Sequence, residues 1–379
     1  MLAAASAESR GIRRGAIAEP DAASGCVDAV LKRVHQSAGV DFERVVLSIG
    51  GKQVSGVNTQ GYLPIYPKGR TITREDVLQV INHSRQVAQT EGFEQVQAIP
   101  REFEIDGEGA VHAPIGRTGA RIEVVTHVVS ADSRHLRDLE RIVAGSGKRI
   151  SQMVLRGLAS GLAVLTEDEV QRGAVVVDIG GGATDLAVFR DGSIIHSGSV
   201  PVGGQLVTSD ISKLLKTSIQ EAERLKTTAG SAVVGESSAE DAVEVLQLGQ
   251  TQARPLQRSV LCEIIESRIK ELALMVRDQI GKSGAFGDLP GGIVLTGGGS
   301  LLSGIVELFR GVFPQQPVRA GSPSVAGKSE FSGNPSMSAV TGLALFVARS
   351  YDDELSPAGA AGDWKESIRT FWSLVSGRA

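Results

Sequence analysis

The sequence predicts an α/β protein of two lobes closing on a shared cleft, and three observations carry that prediction. In Val175-Val-Val-Asp-Ile-Gly-Gly-Gly-Ala-Thr-Asp-Leu-Ala-Val-Phe189, an apolar strand from Ala174 to Val177 ends in Asp178, turns through Gly180, Gly181 and Gly182, and resumes from Leu186 to Phe189. More than a hundred residues downstream, Gly292-Ile-Val-Leu-Thr-Gly-Gly-Gly-Ser-Leu-Leu-Ser-Gly304 repeats the logic of apolar strand, glycine turn and helix start. Around both loops, segments with an alternating apolar pattern are interspersed with segments of helical spacing.

In chain order, Ala22 to Ser37 places Val27, Val30, Leu31 and Val34 on one helical face, and Arg44 to Ile49 reads as a strand. Lys52 to Pro67 and Ile99 to Val129 alternate as strands around a helix from Thr73 to Thr90, whose inward face carries Val77, Val80, Ile81 and Val87. Thr73 and Asp76 have the spacing of an N-terminal cap. Ser133 to Gly145 and Ile150 to Leu165 follow as predicted helices, and after the Asp178 hairpin so do Thr208 to Leu215 and Ser218 to Thr227. Ala229 to Ala253 is small, acidic and poorly periodic, a predicted loop. Leu256 to Ile280 reads as one long helix with Leu261, Ile264, Ile265, Ile269, Leu272 and Met275 inward. Ser300 stands where it could cap a helix continuing through Ile305 to Phe309. Tyr351 to Gly362 reads as a linker, after which Trp364, Ile368, Phe371, Trp372 and Val375 recur at i, i+4, i+7, i+8 and i+11. That stripe, opposite Lys365 and Arg369, suits a bilayer interface, with docking back onto the globular body as the alternative.

Composition narrows the function classes. A chain of 379 residues with 41% hydrophobic content can fill two to four compact units. A net charge of −4 and 4% aromatics leave no electrostatic footprint for nucleic acid, so that partner is not expected. Cys26 and Cys262 match no metal spacing and fit a reducing compartment. No apolar run approaches the roughly eighteen residues of a membrane span. Met1 to Ala7 is too short for a secretory core, and Arg10, Arg13 and Arg14 follow it rather than precede it, so a cytosolic chain is expected.

The chemistry points to phosphate. Bare backbone amides at Gly180, Gly181 and Gly182 can line anionic oxygens, Thr184 adds a hydroxyl, and Asp178 and Asp185 can hold a hydrated Mg²⁺ beside them. Gly297, Gly298 and Gly299 end a second buried strand where a flat ring or ribose could approach the backbone. A glycine turn without chemical use is the alternative for either loop alone, and their pairing weakens it. Gly145-Ser-Gly-Lys148 imitates a Walker loop but fails its spacing, because Ile142 stands where a glycine is required and Arg149 where Ser or Thr should hold Mg²⁺. The histidines form no spaced ligand set, and no Ser-His-Asp arrangement can be read.

Taken together, the Asp178 hairpin, the 292–304 loop and Gln152-Met-Val-Leu-Arg-Gly-Leu-Ala-Ser-Gly161 resemble the actin-like ATPase superfamily, whose two lobes are ribonuclease H-like domains. Within it the chain is similar to the bacterial cell-division FtsA family, through Leu47-Ser-Ile-Gly-Gly-Lys-Gln-Val-Ser55, Ala98-Ile-Pro-Arg-Glu-Phe-Glu-Ile-Asp106, Gly157-Leu-Ala-Ser-Gly-Leu-Ala-Val-Leu-Thr-Glu-Asp-Glu169 and Val207-Thr-Ser-Asp-Ile211. The likeness runs from about Arg10 onward, with a divergent patch near 230–255. It implies a remainder of the first lobe at 1–52, an inserted subdomain called 1C (SHS2-like) at 53–128, a return to the first lobe at 129–173, the second lobe at 174–340, a closing helix at 341–350, a linker at 351–362 and a membrane-targeting helix at 363–376. A decorated edge of the first lobe is the alternative for 53–128.

The resemblance also implies ATP and Mg²⁺ as ligands, with Asp178 holding the metal through water, and Glu223 and Lys226 at i and i+3 contacting the nucleoside. Judged on spacing alone, that pair could be an ordinary surface ion pair. Gln152, eight residues before Ser160, is implied to orient the attacking water, unless it is merely an exposed glutamine; the family implies weak or absent turnover. Implied partners are FtsZ through its C-terminal peptide, further copies of the chain in filaments, other division proteins through 1C, and the inner face of the cytoplasmic membrane at the septum. The competing readings are a sugar kinase or phosphatase of the same superfold and a pilus-assembly relative. The missing sugar-binding pattern, the 1C-like insertion and the terminal tryptophan stripe weigh against the first, and the terminal stripe alone, an anchor such a relative lacks, against the second.

The sequence departs from the family at its start. The first phosphate hairpin is missing, and Ser9-Arg-Gly-Ile-Arg-Arg-Gly15 resembles the segment that follows it. Either the start codon is placed too late or half of the phosphate clamp has been lost; the intact second and third loops favour the former. A first-lobe sheet edge is then expected to be unpaired.

Overall fold

The computed structural model describes residues 2–235, 241–287, 289–324 and 332–355. A hairpin of β1 (Ile12–Arg13) and β2 (Ala16–Ile17) turns through Arg14 and Gly15, both at positive φ. Helix α1 (Pro20–Ala38) starts on a proline and stops at Gly39 in the left-handed region. Strand β3 (Arg44–Ile49) follows as expected.

Next comes a four-stranded antiparallel unit. Its strands β4 (Val54–Pro64), β5 (Phe93–Ile105), β6 (Glu108–Val111) and β7 (Arg121–Asp132) take the order β4-β7-β5-β6, with helix α2 (Arg74–Val87) laid across one face. Inward residues of the period-two strands and of α2 share one core, including Ile65, Val77, Val80, Phe103, Ile122 and Val124. The helix approaches so closely that a Cβ on Gly61 would lie 2.4 Å from the Val80 carbonyl oxygen. Thr73 and Asp76 form the predicted capping box. Asp76 also takes two hydrogen bonds from Arg70, and this guanidinium holds the carboxyl well below the usual range. Val87, expected inward, is exposed at the last turn of α2.

Helix α3 (Ser133–Ala144) leads to β8 (Arg149–Leu155), which pairs parallel to β3. Residues 150–155 were expected to be helical; they are strand, and the helix α4 (Arg156–Val164) begins only at Arg156. Helix α5 (Glu167–Arg172) closes this half.

In the second lobe, β9 (Ala174–Ile179), β10 (Thr184–Arg190), β11 (Ser193–Val200), β14 (Gly292–Thr296) and β15 (Val318–Ala320) make a sheet of order β11-β10-β9-β14-β15. Between them run α6 (Gly204–Leu215), α7 (Ile219–Thr228), β12 (Ala242–Val245), β13 (Arg254–Gln257), α8 (Arg258–Gly281) and α9 (Ile305–Val312); the chain then enters α10 (Ser338–Leu355). Strand β9 feeds two cores. Val175, Val177 and Ile179 join the cluster that includes Leu261 and Leu272 of α8, while Val176 joins Leu158 of α4 and Phe346 of α10.

Three further expectations are corrected. Part of the 229–253 loop is strand, since β12 pairs with β13. Ser300 does not cap α9: it sits in a 3₁₀ turn, Gly298–Leu301, and its Oγ donates to the Gly297 carbonyl, while Gly304 stands at the helix start. Residues 351–355, assigned to a linker, belong to α10. Trp364, Ile368, Phe371, Trp372 and Val375 lie outside the described residues. Among the described residues no helix is long and apolar enough to cross a membrane.

Candidate functional site

The antiparallel register of β9 and β10 sets Asp178 opposite Asp185, and the parallel register of β14 puts Thr296 beside Asp178. Both carboxylates are buried. Ser160 of α4 donates from Oγ to Asp178 Oδ2 at 2.5 Å. Burial pushes the Asp178 carboxyl up, against the pull of Ser160 and Arg156. Asp185 is held from the other side: the Gly51 amide donates to Oδ1 at 2.6 Å, and Arg156 Nη1 to Oδ2 at 3.0 Å. A Cβ on Gly50 would lie 2.5 Å from the same carboxylate.

The glycine loop leaves this strand end and is clamped by α6, whose Gly204 and Gln205 amides donate to the carbonyls of Gly180 and Gly181 at 3.0 and 2.8 Å. Close packing explains most of its glycines. A Cβ on Gly182 would lie 2.8 Å from the Gly15 nitrogen, and one on Gly180 2.9 Å from the Ala183 oxygen. Gly181 is different, since its Cβ would meet nothing nearer than Gln205 at 3.7 Å. The second glycine turn divides in the same way. Cβ atoms on Gly297 and Gly299 would strike Asp178 Oδ1 and Ile179 Cγ2 at 2.3 Å, whereas Gly298 has only Ser336 at 3.7 Å. The two turns therefore abut at the end of β9, and each keeps one glycine with open space beside it.

Glu223 and Lys226 reach the same neighbourhood. Lys226 Nζ donates to Glu223 Oε2 at 2.7 Å, to Thr208 Oγ1 at 3.0 Å and to the Gly204 carbonyl at 3.3 Å, and Gly204 is bonded to the loop at Gly180. The pair is thus tied into the start of α6 rather than isolated on the surface. The buried hydroxyl of Thr184 donates to the Val202 carbonyl at 2.8 Å, and the Gly180 amide to the Ala183 carbonyl at 3.0 Å. Gln152 is on β8, half-buried and opposite Val46, not on α4. Besides Ser160, the α4 side chain that meets the paired carboxylates is Arg156, which binds Asp185 and which the sequence reading passed over together with Gly51. The glycine pair following β3 and Asp185 were each visible as signals; the contact between them was not.

Among the described residues no cluster of three or more His, Cys, Asp or Glu side chains could enclose a metal. Asp178 and Asp185 against one guanidinium nevertheless leave the cluster short of positive charge. A hydrated Mg²⁺ completing its shell with water and phosphate oxygens would fit beside this buried carboxylate pair.

Comparison with known proteins agrees with this architecture. The family model for cell division protein FtsA matches residues 175–342, and that for the SHS2 domain inserted in FtsA matches 51–130. Cell division protein FtsA of Pseudomonas aeruginosa is 32% identical over 349 residues, covering 92% of this chain and 83% of that protein. FtsA of Borreliella burgdorferi is 34% identical over 342 residues, covering 89% and 82%. Among solved structures, the PilM-PilN type IV pilus biogenesis complex matches with a TM-score of 0.61 at 18% identity, covering 89% of this chain and 88% of that one. ADP-bound MreB5 of Spiroplasma citri matches with a TM-score of 0.56 at 16% identity, covering 91% and 80%. At these identities the structural likenesses carry the fold alone, an actin-like one, which agrees with the fold class expected from the sequence.

Proposed function

The chain belongs to the FtsA family of cell-division proteins, and from that premise we propose that it binds Mg²⁺-ATP at the end of β9, self-assembles, and holds FtsZ to the inner face of the cytoplasmic membrane at the septum. The observation that carries the nucleotide part is the meeting of four elements at one strand end: the buried Asp178–Asp185 edge, the amides around Gly181, the turn at Gly298 and the Lys226–Glu223 pair. Phosphates would lie against the amides of Gly181 and Gly182, since that of Gly180 donates to the Ala183 carbonyl at 3.0 Å, with Mg²⁺ between them and Asp178. The nucleoside would lie between the Gly297–Gly299 turn and the Glu223–Lys226 side of α7. The triphosphate would supply negative charge for the amides of the glycine turn. Turnover is weak or absent in this reading, as the family resemblance implies.

Anchoring rests on the sequence of 363–376. Half-burying its three aromatics would remove ~250–300 Å² from water, roughly 6–8 kcal/mol before the cost of ordering a helix. What survives is a few kcal/mol, and Asp363 and Glu366 offset Lys365 and Arg369, so one copy holds only marginally. Filaments of many copies raise the effective concentration of each next helix and make the tether secure. FtsZ is bound through its C-terminal peptide and other division proteins through the inserted subdomain at 53–128. Sedimentation with liposomes tests the tether: deleting Trp364 to Ala379, or placing Asp at Phe371 and Trp372, releases the protein while FtsZ binding persists. Sedimentation equal to that of the parent protein would refute it.

A further inference from the structure

Arg156 is the first residue of α4, and its guanidinium is the cation paired with the buried Asp185 carboxylate. The partners are unequal: the Arg156 side chain is 32% exposed and that of Asp185 only 4%. The remaining Asp185 oxygen is taken by the Gly51 amide, and the register of β9 and β10 puts Asp178 directly across from it. This cluster stands close behind the glycine loop. Gly182 packs on Gly15, and a Cβ on Gly15 would in turn lie 3.6 Å from the Gly51 Cα. An arginine here has one particular chemistry. Its planar fork of donors pairs with a carboxylate or a phosphate in the same geometry, and it has no acceptor with which to take a proton from water.

We propose that Arg156 reads the terminal phosphate of the nucleotide and so sets the preference for a nucleoside triphosphate over a diphosphate, an inference that rests on the Mg²⁺-ATP reading above. In this structure it is paired with Asp185. When the divalent cation arrives with the triphosphate, the cation satisfies the Asp178–Asp185 edge and Arg156 transfers to the terminal phosphate oxygens. Each charge exchanges one partner for another, so no buried charge is left alone during the change. The partial exposure of Arg156 gives its side chain freedom to move, while the Gly51 amide keeps Asp185 in place. A diphosphate offers the cation but not the outer oxygens, and Arg156 then stays on Asp185. Because a guanidinium has no acceptor, this residue cannot itself take a proton from the attacking water.

The test is calorimetric titration of the full chain and of its Arg156→Ala and Arg156→Lys variants with Mg²⁺-ATP and Mg²⁺-ADP. Arg156→Ala is expected to cut the ratio of ATP to ADP affinity at least tenfold, with most of the loss on ATP. Arg156→Lys, which keeps the charge but not the fork, falls between. Equal weakening of both nucleotides, or an unchanged ratio, overturns the proposal and leaves the Mg²⁺-ATP reading standing. A parent protein that binds neither nucleotide overturns both.

Discussion

Gly182 rests on the backbone of Gly15: a Cβ added to Gly182 would stand 2.8 Å from the Gly15 nitrogen and 3.1 Å from that of Arg14. The N-terminal hairpin of β1 and β2 is thereby seated on the glycine loop of the other lobe, with its turn residues at positive φ to allow the approach. One loop thus contains a glycine demanded by packing next to a glycine, Gly181, that packing does not demand.

That contrast separates folding from binding. Gly182→Val forces backbone apart and is expected to lower the thermal midpoint, with a destabilisation on the order of 1–3 kcal/mol typical of overpacking. Gly181→Val meets only the flexible Gln205 side chain and should melt close to the parent, yet its branched side chain enters the proposed phosphate path and weakens Mg²⁺-ATP binding at least tenfold, about 1.4 kcal/mol. Thermal scans and nucleotide titrations on the two variants check both halves. Unchanged affinity in Gly181→Val removes the phosphate assignment.

Asp178 makes a prediction in the opposite sense. Burial raises its folded pKa above the unfolded value of 3.8, so its contribution to stability is fully present below that value and is lost as pH rises through the folded pKa. As pH rises above 3.8 the unfolded chain sheds this proton more readily than the folded one, so the buried carboxyl costs stability. Asp178→Asn keeps an oxygen for Ser160 and carries no charge. It should therefore melt higher than the parent at pH 7.5, show a smaller fall in midpoint between pH 4 and pH 7.5, and lose at least tenfold in Mg²⁺-ATP affinity. A variant that melts lower and binds as well as the parent would refute the role.

How far these features can be read from sequence depends on how local their causes are. The β9–loop–β10 unit is legible because a β-branched run, an acid and three glycines are contiguous and need no distant partner to be recognised. Residues 150–155 are not: Ile150, Met153, Val154 and Leu158 satisfy a helical spacing, and what makes the first part a strand is β3, a segment far away in sequence. The Glu223–Lys226 pair is visible at i and i+3, whereas its third member, Thr208, comes from another helix. Arg156 and Gly51 converge on Asp185 from 29 and 134 residues away, and no spacing rule reaches across such distances. Strand β12 escaped notice because its partner β13 lies beyond the poorly periodic stretch that precedes it.

The junction between the insertion and the second lobe carries the last prediction. His127 of β7 is buried there, with Nδ1 2.8 Å from Asn58 Oδ1 and Nε2 2.8 Å from Ser197 Oγ of β11; Asn58 Nδ2 also donates to the Ile195 carbonyl at 2.9 Å. A neutral ring donating from Nδ1 and accepting at Nε2 satisfies this chain of bonds, and there is no room for a rearrangement, since a Cβ on Gly56 would lie 2.5 Å from Nε2. Burial, then His196 and Arg101, push the imidazole down to about 3. Lys282 faces His196 and adds to the positive surroundings. The unfolded chain therefore binds this proton more readily than the folded one. Stability from the neutral ring is fully present above about pH 6.5 and is lost as pH falls from there toward about 3, by roughly 1.4 kcal/mol per unit. Between pH 7 and pH 5 the loss is roughly 2 kcal/mol. His127→Gln retains a donor and an acceptor without a titrating ring, and its urea-unfolding midpoint should fall less than the parent's over that interval. His196 and His135, whose pKa values are also lowered by burial, account for the residual slope. Parallel pH profiles for parent and variant would mean that the clasp between β7 and β11 is not what acid releases.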